Sequence, residues 1–450
     1  MAGEILSLLP LLHSERNCTM NLLIIFTDQQ HKFALGRMNP LYQTPHLDAL
    51  ADEGVLFTNA YSNNPLCGPY RGCLMTGLLT SHNGLKINNM PLPAGVPTLA
   101  GVLRSKGWQT GFVGKWHLGG RGTEPIPNEI RGGFERFMGY QMYNGFDPAP
   151  PYRNRVAFYD EENVEHIYQE HRTEATTRLA CEMLDDIATS QKPFCMVVGY
   201  QAPHYPEQPL PQYEALYRNT HFPVPDEAAT IEPYTPTFNP RSPEDRTQCP
   251  DYQRYGGNMA EYKRLYAAMV SQVDHGVGEL IARLKQHDLY EDTLIIYTSD
   301  HGDMQGSHGM VNKDVPYEMS AGVPFIVRCP NGRKACRSEL LVSGVDIFTT
   351  AMEMAGADVQ SDGCSFLPYV QGTDNQPFRE SIISESLHGE KAWQMIRDRQ
   401  YKLVVRHQDH KPLMLFDMLN DLEEKKNLVS EEFAIPVVQK MTNALLGALQ

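Results

Sequence analysis

Four short apolar runs constrain the fold more than any other feature of the sequence: Leu22–Phe26, Thr110–Val113, Phe194–Val198 and Thr293–Thr298. Their shortness and largely apolar character predict buried strands, most plainly for Leu22–Phe26. Stretches of helical spacing lie between them: His46 to Glu53, stopping at Gly54; Thr98 to Lys106, stopping at Gly107; Glu174–Ala188; and Met259 to His287. Strands alternating with helices predict an α/β fold with a large, mostly parallel sheet flanked by helices. Ligands of such sheets sit beyond the carboxyl ends of the strands. The first run delivers Thr27-Asp28-Gln29 there, and the last delivers Ser299-Asp300-His301-Gly302. Two acidic clusters are therefore expected to meet in space.

The chain has 450 residues, about three times the usual domain length of ~150, which predicts a large unit and a small one. Past about residue 370 the texture changes. Ser381–Ser386, Trp393–Arg397, Tyr401–Val405 and Leu413–Asp417 read as four closely spaced strands. Glu432–Leu446 reads as a closing helix that stops at Gly447, with Pro436 limiting how early it begins. The expected division is an α/β domain over 20–370 and a small antiparallel sheet plus helix over 371–450. Residues 1–19 precede the first convincing strand and are expected to form an extension outside the fold. Eleven of the 32 prolines fall between Pro203 and Pro250, which predicts a long ordered loop or lid. The stretch from Tyr140 to Tyr159, with Arg153 and Arg155, has a similar character.

Charge narrows the partners. Thirty-nine basic against 54 acidic residues leave a net charge of −15. Nucleic acid and anionic membrane both need a basic face, so neither is an expected partner. An anionic substrate would need local cations that overcome this field. Nine cysteines without paired spacing make neither a disulfide scaffold nor a structural zinc site. No apolar run reaches about 18 residues, so nothing is expected to span a membrane. The opening stretch Ile5 to Leu12 is short and follows Glu4 instead of a basic cluster. It makes a weak export signal, and a cytoplasmic location is expected, with export the alternative.

The most informative segment is Pro65 to Gly77, PLCGPYRGCLMTG. Pro69 suits the first turn of a helix, which places Cys67 at the helix start. Free N–H groups and the dipole there favour negative charge on whatever occupies position 67. Arg71, one turn on, shares its face; Cys73 reads as core packing.

The pattern Cys67-x-Pro69-x-Arg71-x4-Thr76-Gly77 resembles the signature of the formylglycine-dependent (type I) sulfatases, within the alkaline phosphatase superfamily. Further segments resemble family motifs in order: Leu23–Asp28, Gly114-Lys115-Trp116-His117-Leu118-Gly119, Ala202-Pro203-His204, Ser299-Asp300-His301-Gly302, and His308-Gly309 with Lys313. The C-terminal Arg397…Tyr401-Lys402-Leu403 and Leu415-Phe416-Asp417 also look familial, so the resemblance runs from residue 21 almost to the end. It implies an alkaline phosphatase-like fold and oxidation of Cys67, by a formylglycine-generating or equivalent maturation enzyme, to 3-oxoalanine (formylglycine). The hydrated aldehyde attacks sulfur with one hydroxyl and expels the alcohol. The second hydroxyl then collapses to release sulfate, an escape that a plain serine lacks.

The resemblance implies one divalent metal held by Asp28, Asp300, His301 and the modified Cys67, with Gln29 either adding its carbonyl oxygen as a ligand or only hydrogen-bonding beside them. Carboxylates suit calcium, the expected ion by family, while an imidazole ligand favours manganese or another transition metal. Arg71, Lys115, His117, His204 and Lys313 supply the cationic pocket that a sulfate needs. Lys115 and Lys313 are expected on sulfate oxygens, His204 and Lys313 at the departing alcohol, His117 as base, and Arg71 against the diol. His308 lies in the matched segment and either joins this pocket or merely packs or caps. The substrate is expected to be a small-molecule or glycan sulfate ester; oligomeric state has no sequence signal.

Several positions depart from the common pattern. Gln29 stands where many members have a second aspartate, His301 where many have asparagine, and Tyr70 where many have serine. Cys67-Gly68-Pro69 and the Gln29/His301 pair also resemble phosphonate monoester and phosphodiester hydrolases that use the same aldehyde. The GKWHLG segment and Lys313 favour the sulfatase. A third reading is a silent binding protein with an intact Cys67 thiol.

Overall fold

The computed structural model describes residues 20–120, 125–142, 156–225 and 258–449. Residues 1–19, Arg153, Arg155 and the later part of the proline-rich stretch lie outside these. Ten strands form the main sheet: β1 (Asn21–Asp28), β2 (Val55–Tyr61), β3 (Gln109–Lys115), β4 (Arg136–Tyr140), β5 (Val156–Tyr159), β6 (Glu165–Tyr168), β7 (Phe194–Pro203), β8 (Thr293–Ser299), β9 (Phe325–Arg328) and β10 (Cys336–Ser343). They are ordered β10-β2-β9-β8-β1-β7-β3-β4-β5-β6. The central neighbours β8, β1, β7, β3 and β4 run parallel. β9 is inserted antiparallel between β8 and β2, and β5 and β6 extend the far edge antiparallel.

All eight residues of β1 are buried, which is why its sequence is a continuous apolar run. Leu22, Ile24 and Phe26 face one core; Leu23 and Ile25 face the other. The first core is closed by helices α2 (Cys67–Thr76), α3 (Leu99–Ser105) and α6 (Gly344–Met354). The second is closed by α1 (Pro45–Asp52), α4 (Arg172–Ala188) and α5 (Met259–Gln286). Helices thus cover both faces, as the alternation predicts.

A second sheet has β11 (Ile382–Ser386), β12 (Trp393–Arg397), β13 (Tyr401–Arg406) and β14 (Pro412–Asp417) in antiparallel order, closed by α7 (Ile435–Ala448). One face packs on Tyr61, Met304, Val315 and Tyr317, and the other shares a core with Cys73 and Val345. The closing helix differs from expectation at both ends. A 3-10 turn occupies Glu432–Ala434, Pro436 falls in the first turn of α7, and the helix passes through Gly447. Among the described residues no helix is long and apolar enough to cross a membrane.

Candidate active site

Parallel register builds the site. Thr27 pairs with Ser299, so Asp28 and Asp300 leave adjacent strands side by side. The register of β1 against β7 shifts between Phe26 and Asp28, setting Asp28 opposite Pro203 and bringing in His204. Gly114 in β3 has φ +114° and approaches β7 so closely that a Cβ would overlap the Gly199 carbonyl. Only glycine permits that approach, and the strand then delivers Lys115 and His117 to the same end.

Helix α2 begins at Cys67, after an extended Leu66 with no side-chain cap. The Gly68 N–H donates to Asn88 Oδ1 at 2.8 Å. Cys67 Sγ lies 3.2 Å from His301 Nε2 and 3.5 Å from Asp28 Oδ1. The Arg71 Nη2 donates to Asp28 at 3.0 Å and Asp300 at 2.9 Å, while its Nη1 donates to the Lys115 carbonyl. Lys115 Nζ donates to Asp28 Oδ2 at 2.5 Å. One guanidinium therefore holds together the ends of three strands.

The side chains of Asp28, Cys67, Arg71, Lys115, Asp300 and His301 are all buried. Burial pushes the Asp28 carboxyl up, but Lys115, His204, Arg71 and His301 outweigh it and hold it well below the usual carboxylate range. Burial and Asp28 push the Cys67 thiol up, and Lys313, Lys115 and His301 overcome both. The imidazole of His301 is raised by Asp300 and Cys67 against the effect of burial. Burial, Lys115 and Arg71 hold His117 well below the usual histidine value; neither ring nitrogen has a hydrogen-bond partner among the described residues. Burial and Lys313 do the same to His204, whose Nδ1 donates to the Tyr205 carbonyl at 2.9 Å. Lys313 is raised, because Cys67, Asp28, Asp300 and Asp303 overcome burial.

One donor atom each from Asp28, Cys67, Asp300 and His301 lie within 4.8 Å of one another. Two carboxylates, an imidazole and the position-67 side chain fit a single divalent cation. Gln29 lies beside this cluster with its amide engaged at both ends. Nε2 donates to Asp303 Oδ2 at 2.6 Å, and Oε1 accepts from Lys313 Nζ at 2.5 Å. Its backbone N–H donates to Asp300 Oδ1 at 3.0 Å.

The structure therefore gathers all ten of the sequence-derived candidates at one end of the sheet. His308 stacks on Tyr317 with centroids 4.1 Å apart, a packing role. Cys73 is buried, its thiol pushed up to about 12, and packs as expected. Sequence reasoning missed Asp303, which receives hydrogen bonds from Gln29 and Tyr262, and Asp314, which follows Lys313. Both directly continue recognised segments; that adjacency was the available signal.

A parallel-centred α/β sheet whose carboxyl ends gather two aspartates, a histidine and a nucleophile candidate at a helix start is the arrangement that the resemblance to the alkaline phosphatase superfamily implies. The sulfatase family model matches residues 20–357, and a model described as N-sulphoglucosamine sulphohydrolase, C-terminal, matches 306–450. The chain belongs to the sulfatase family, and its similarity to named sulfatases supports a sulfuric ester hydrolase. It is similar to the N-acetylglucosamine-6-O-sulfatase of Bacteroides thetaiotaomicron, 27% identical over 91% of this chain and 82% of that one. The choline-sulfatase of Rhizobium meliloti is 29% identical over the same shares. The fold is shared with the phosphonate monoester hydrolase of Agrobacterium radiobacter, with a TM-score of 0.75, 22% identity and 95% coverage of both chains.

Proposed function

We propose that this protein hydrolyses a sulfate ester, with the side chain at position 67, oxidised from cysteine to formylglycine by a maturation enzyme, as nucleophile. The observation that carries this reading is the convergence of Cys67, Asp28, Asp300 and His301 with Arg71, Lys115, His117, His204 and Lys313 in a chain of net charge −15. Asp28, Asp300, His301 and position 67 would hold one divalent cation, with Gln29 beside them. When bound, that ion supplies Lewis acidity toward the nucleophile and the sulfate oxygens.

The remaining chemistry belongs to the chain. Lys115 and Lys313 bind sulfate oxygens and stabilise the charge that grows on them. His117, held neutral and without a hydrogen-bond partner on its ring among the described residues, is equipped to accept a proton. Lys313, kept charged by its anionic neighbours, is assigned to protonate the departing alcohol, with the neutral His204 beside it as a hydrogen-bonding partner. Arg71 fixes Asp28 and Asp300 relative to helix α2.

The alcohol is a sugar or a small molecule. The glycan reading is supported by the N-acetylglucosamine-6-O-sulfatase relative. Turnover of an aryl sulfate is compared with that of the matching aryl phosphonate monoester. A kcat/KM at least about tenfold higher for the sulfate is expected, a difference of about 1.4 kcal/mol in transition-state binding. The reverse preference would replace the sulfatase reading with the phosphorus-specific one.

A further inference from the structure

The proposal concerns the second sheet, which supplies none of the residues assigned above. The segment carrying Lys313 runs across its inner face, and Asp314 is the point of attachment. Asp314 is 2% exposed, with φ +74°, an unfavourable conformation that a side chain adopts only where its surroundings hold it. Its Oδ1 accepts from Ser386 Oγ at 2.7 Å, and its Oδ2 lies 3.0 Å from His388 Nε2. Its carbonyl accepts from Trp393 Nε1 at 3.3 Å. All three partners belong to β11, the turn after it, or β12. In the other direction, the Asp314 N–H donates to the Pro65 carbonyl at 3.1 Å, two residues before Cys67.

A few residues on, the same segment is fastened again. Lys402 of β13 donates to the Pro316 carbonyl at 3.1 Å and to Glu318 at 2.7 Å. Glu318 also pairs with Lys32, and the Glu318 N–H donates to Glu424 at 2.7 Å. Lys313 thus leaves a backbone pinned at Asp314 and Glu318, and its ammonium meets Gln29 at 2.5 Å.

We infer that Asp314, clamped between Ser386, His388 and Trp393 of the second sheet and the Pro65 carbonyl, is a positioning residue that sets Lys313 against the nucleophile. The second sheet is then a working part of the active site without touching substrate. This rests on the proposed role of Lys313, and a charged group displaced by about an ångström loses much of its catalytic value.

The test is a double-mutant cycle in the full-length, matured enzyme. Asp314→Asn keeps the side-chain shape and both backbone hydrogen bonds while removing the charge that faces His388. It is read in the parent and in Lys313→Ala, by kcat and KM on an aryl sulfate and by the calorimetric Kd of inorganic sulfate. A role exerted through Lys313 predicts about a tenfold loss of kcat with little change of KM in the parent, and less than a twofold loss in Lys313→Ala. Sulfate affinity should follow the same non-additive pattern. Equal losses in both backgrounds would overturn the inference, because a general structural defect ignores whether Lys313 is present. His388→Ala carries the same cycle if Asp314→Asn does not fold. Should the parent turn over aryl phosphonate instead of aryl sulfate, the sulfatase reading fails, while the cycle read on the phosphonate still decides this one.

Discussion

At the scale of single residues, the site is a balance of buried charges. Asp28 meets Arg71 and Lys115, and Asp300 meets Arg71, so neither carboxylate stands alone. Removing one partner of such a set costs more than the pair contributes, because the other charge is left buried without compensation. Asp300→Ala removes one of the four clustered donors and leaves Arg71 with Asp28 as its remaining carboxylate partner. The variant is expected to lose stoichiometric divalent metal by elemental analysis and at least about a hundredfold in kcat, as for other losses of a metal-site residue. Parent-like metal content would refute the ligand assignment. The residues named from sequence were legible because motif and strand end coincide at Asp28, Lys115, His204 and Asp300. Asp303 continues the recognised Ser299–Gly302 segment, but its contact with Tyr262 depends on helix α5 crossing the strand ends, a packing fact that no local pattern carries.

At the scale of elements, continuous apolar runs were readable, and mixed ones were not. β1, β3, β7 and β8 are buried along their whole length and stand out in the sequence. β9 has only four residues, and β10 alternates irregularly around a register shift between Ser338 and Leu341. β9 also runs antiparallel inside the sheet, a topology that local pattern does not encode. Helix α1 shows how elements are joined by polar groups. Asp274 of α5 accepts the N–H groups of Leu47 at 2.7 Å and His46 at 3.2 Å in its first turn.

Burial pushes the Asp274 carboxyl up to about 7, outweighing those two hydrogen bonds. The folded state therefore holds this proton more tightly than the unfolded chain. Stability from this group is highest below the ordinary carboxylate range, falls as pH rises toward about 7, and is level above it. The upper bound of the effect is about 4 kcal/mol. Asp274→Asn should lose that slope. Denaturant unfolding at about pH 5 and pH 8 is expected to show the variant gaining on the parent as pH rises. A difference that does not change with pH would contradict the assignment.

At the scale of the whole molecule, the two sheets are joined by charge as well as by apolar packing. Lys402, wholly buried, meets Glu318 at 2.7 Å and Glu424 at 2.5 Å. Lys32 and Lys402 hold the Glu318 carboxyl far below its ordinary range despite burial. Lys402→Met leaves Glu424 facing Glu318 with Lys32 as the one remaining lysine partner of Glu318, and is expected to cost about 3–5 kcal/mol in denaturant unfolding. A cost below about 1 kcal/mol would show that apolar packing alone joins the sheets. The Arg397…Tyr401-Lys402-Leu403 segment was visible in the sequence as a resemblance, but its role was not. Only the folded chain sets Lys402 under the loop that carries Lys313.

The account depends most on the state of one atom at position 67. Mass spectrometry of the peptide spanning Cys67, from active protein, reads it directly. The prediction is replacement of the cysteine sulfur by an aldehyde oxygen, in a fraction that rises in step with sulfate ester turnover. An intact thiol in fully active protein would contradict it.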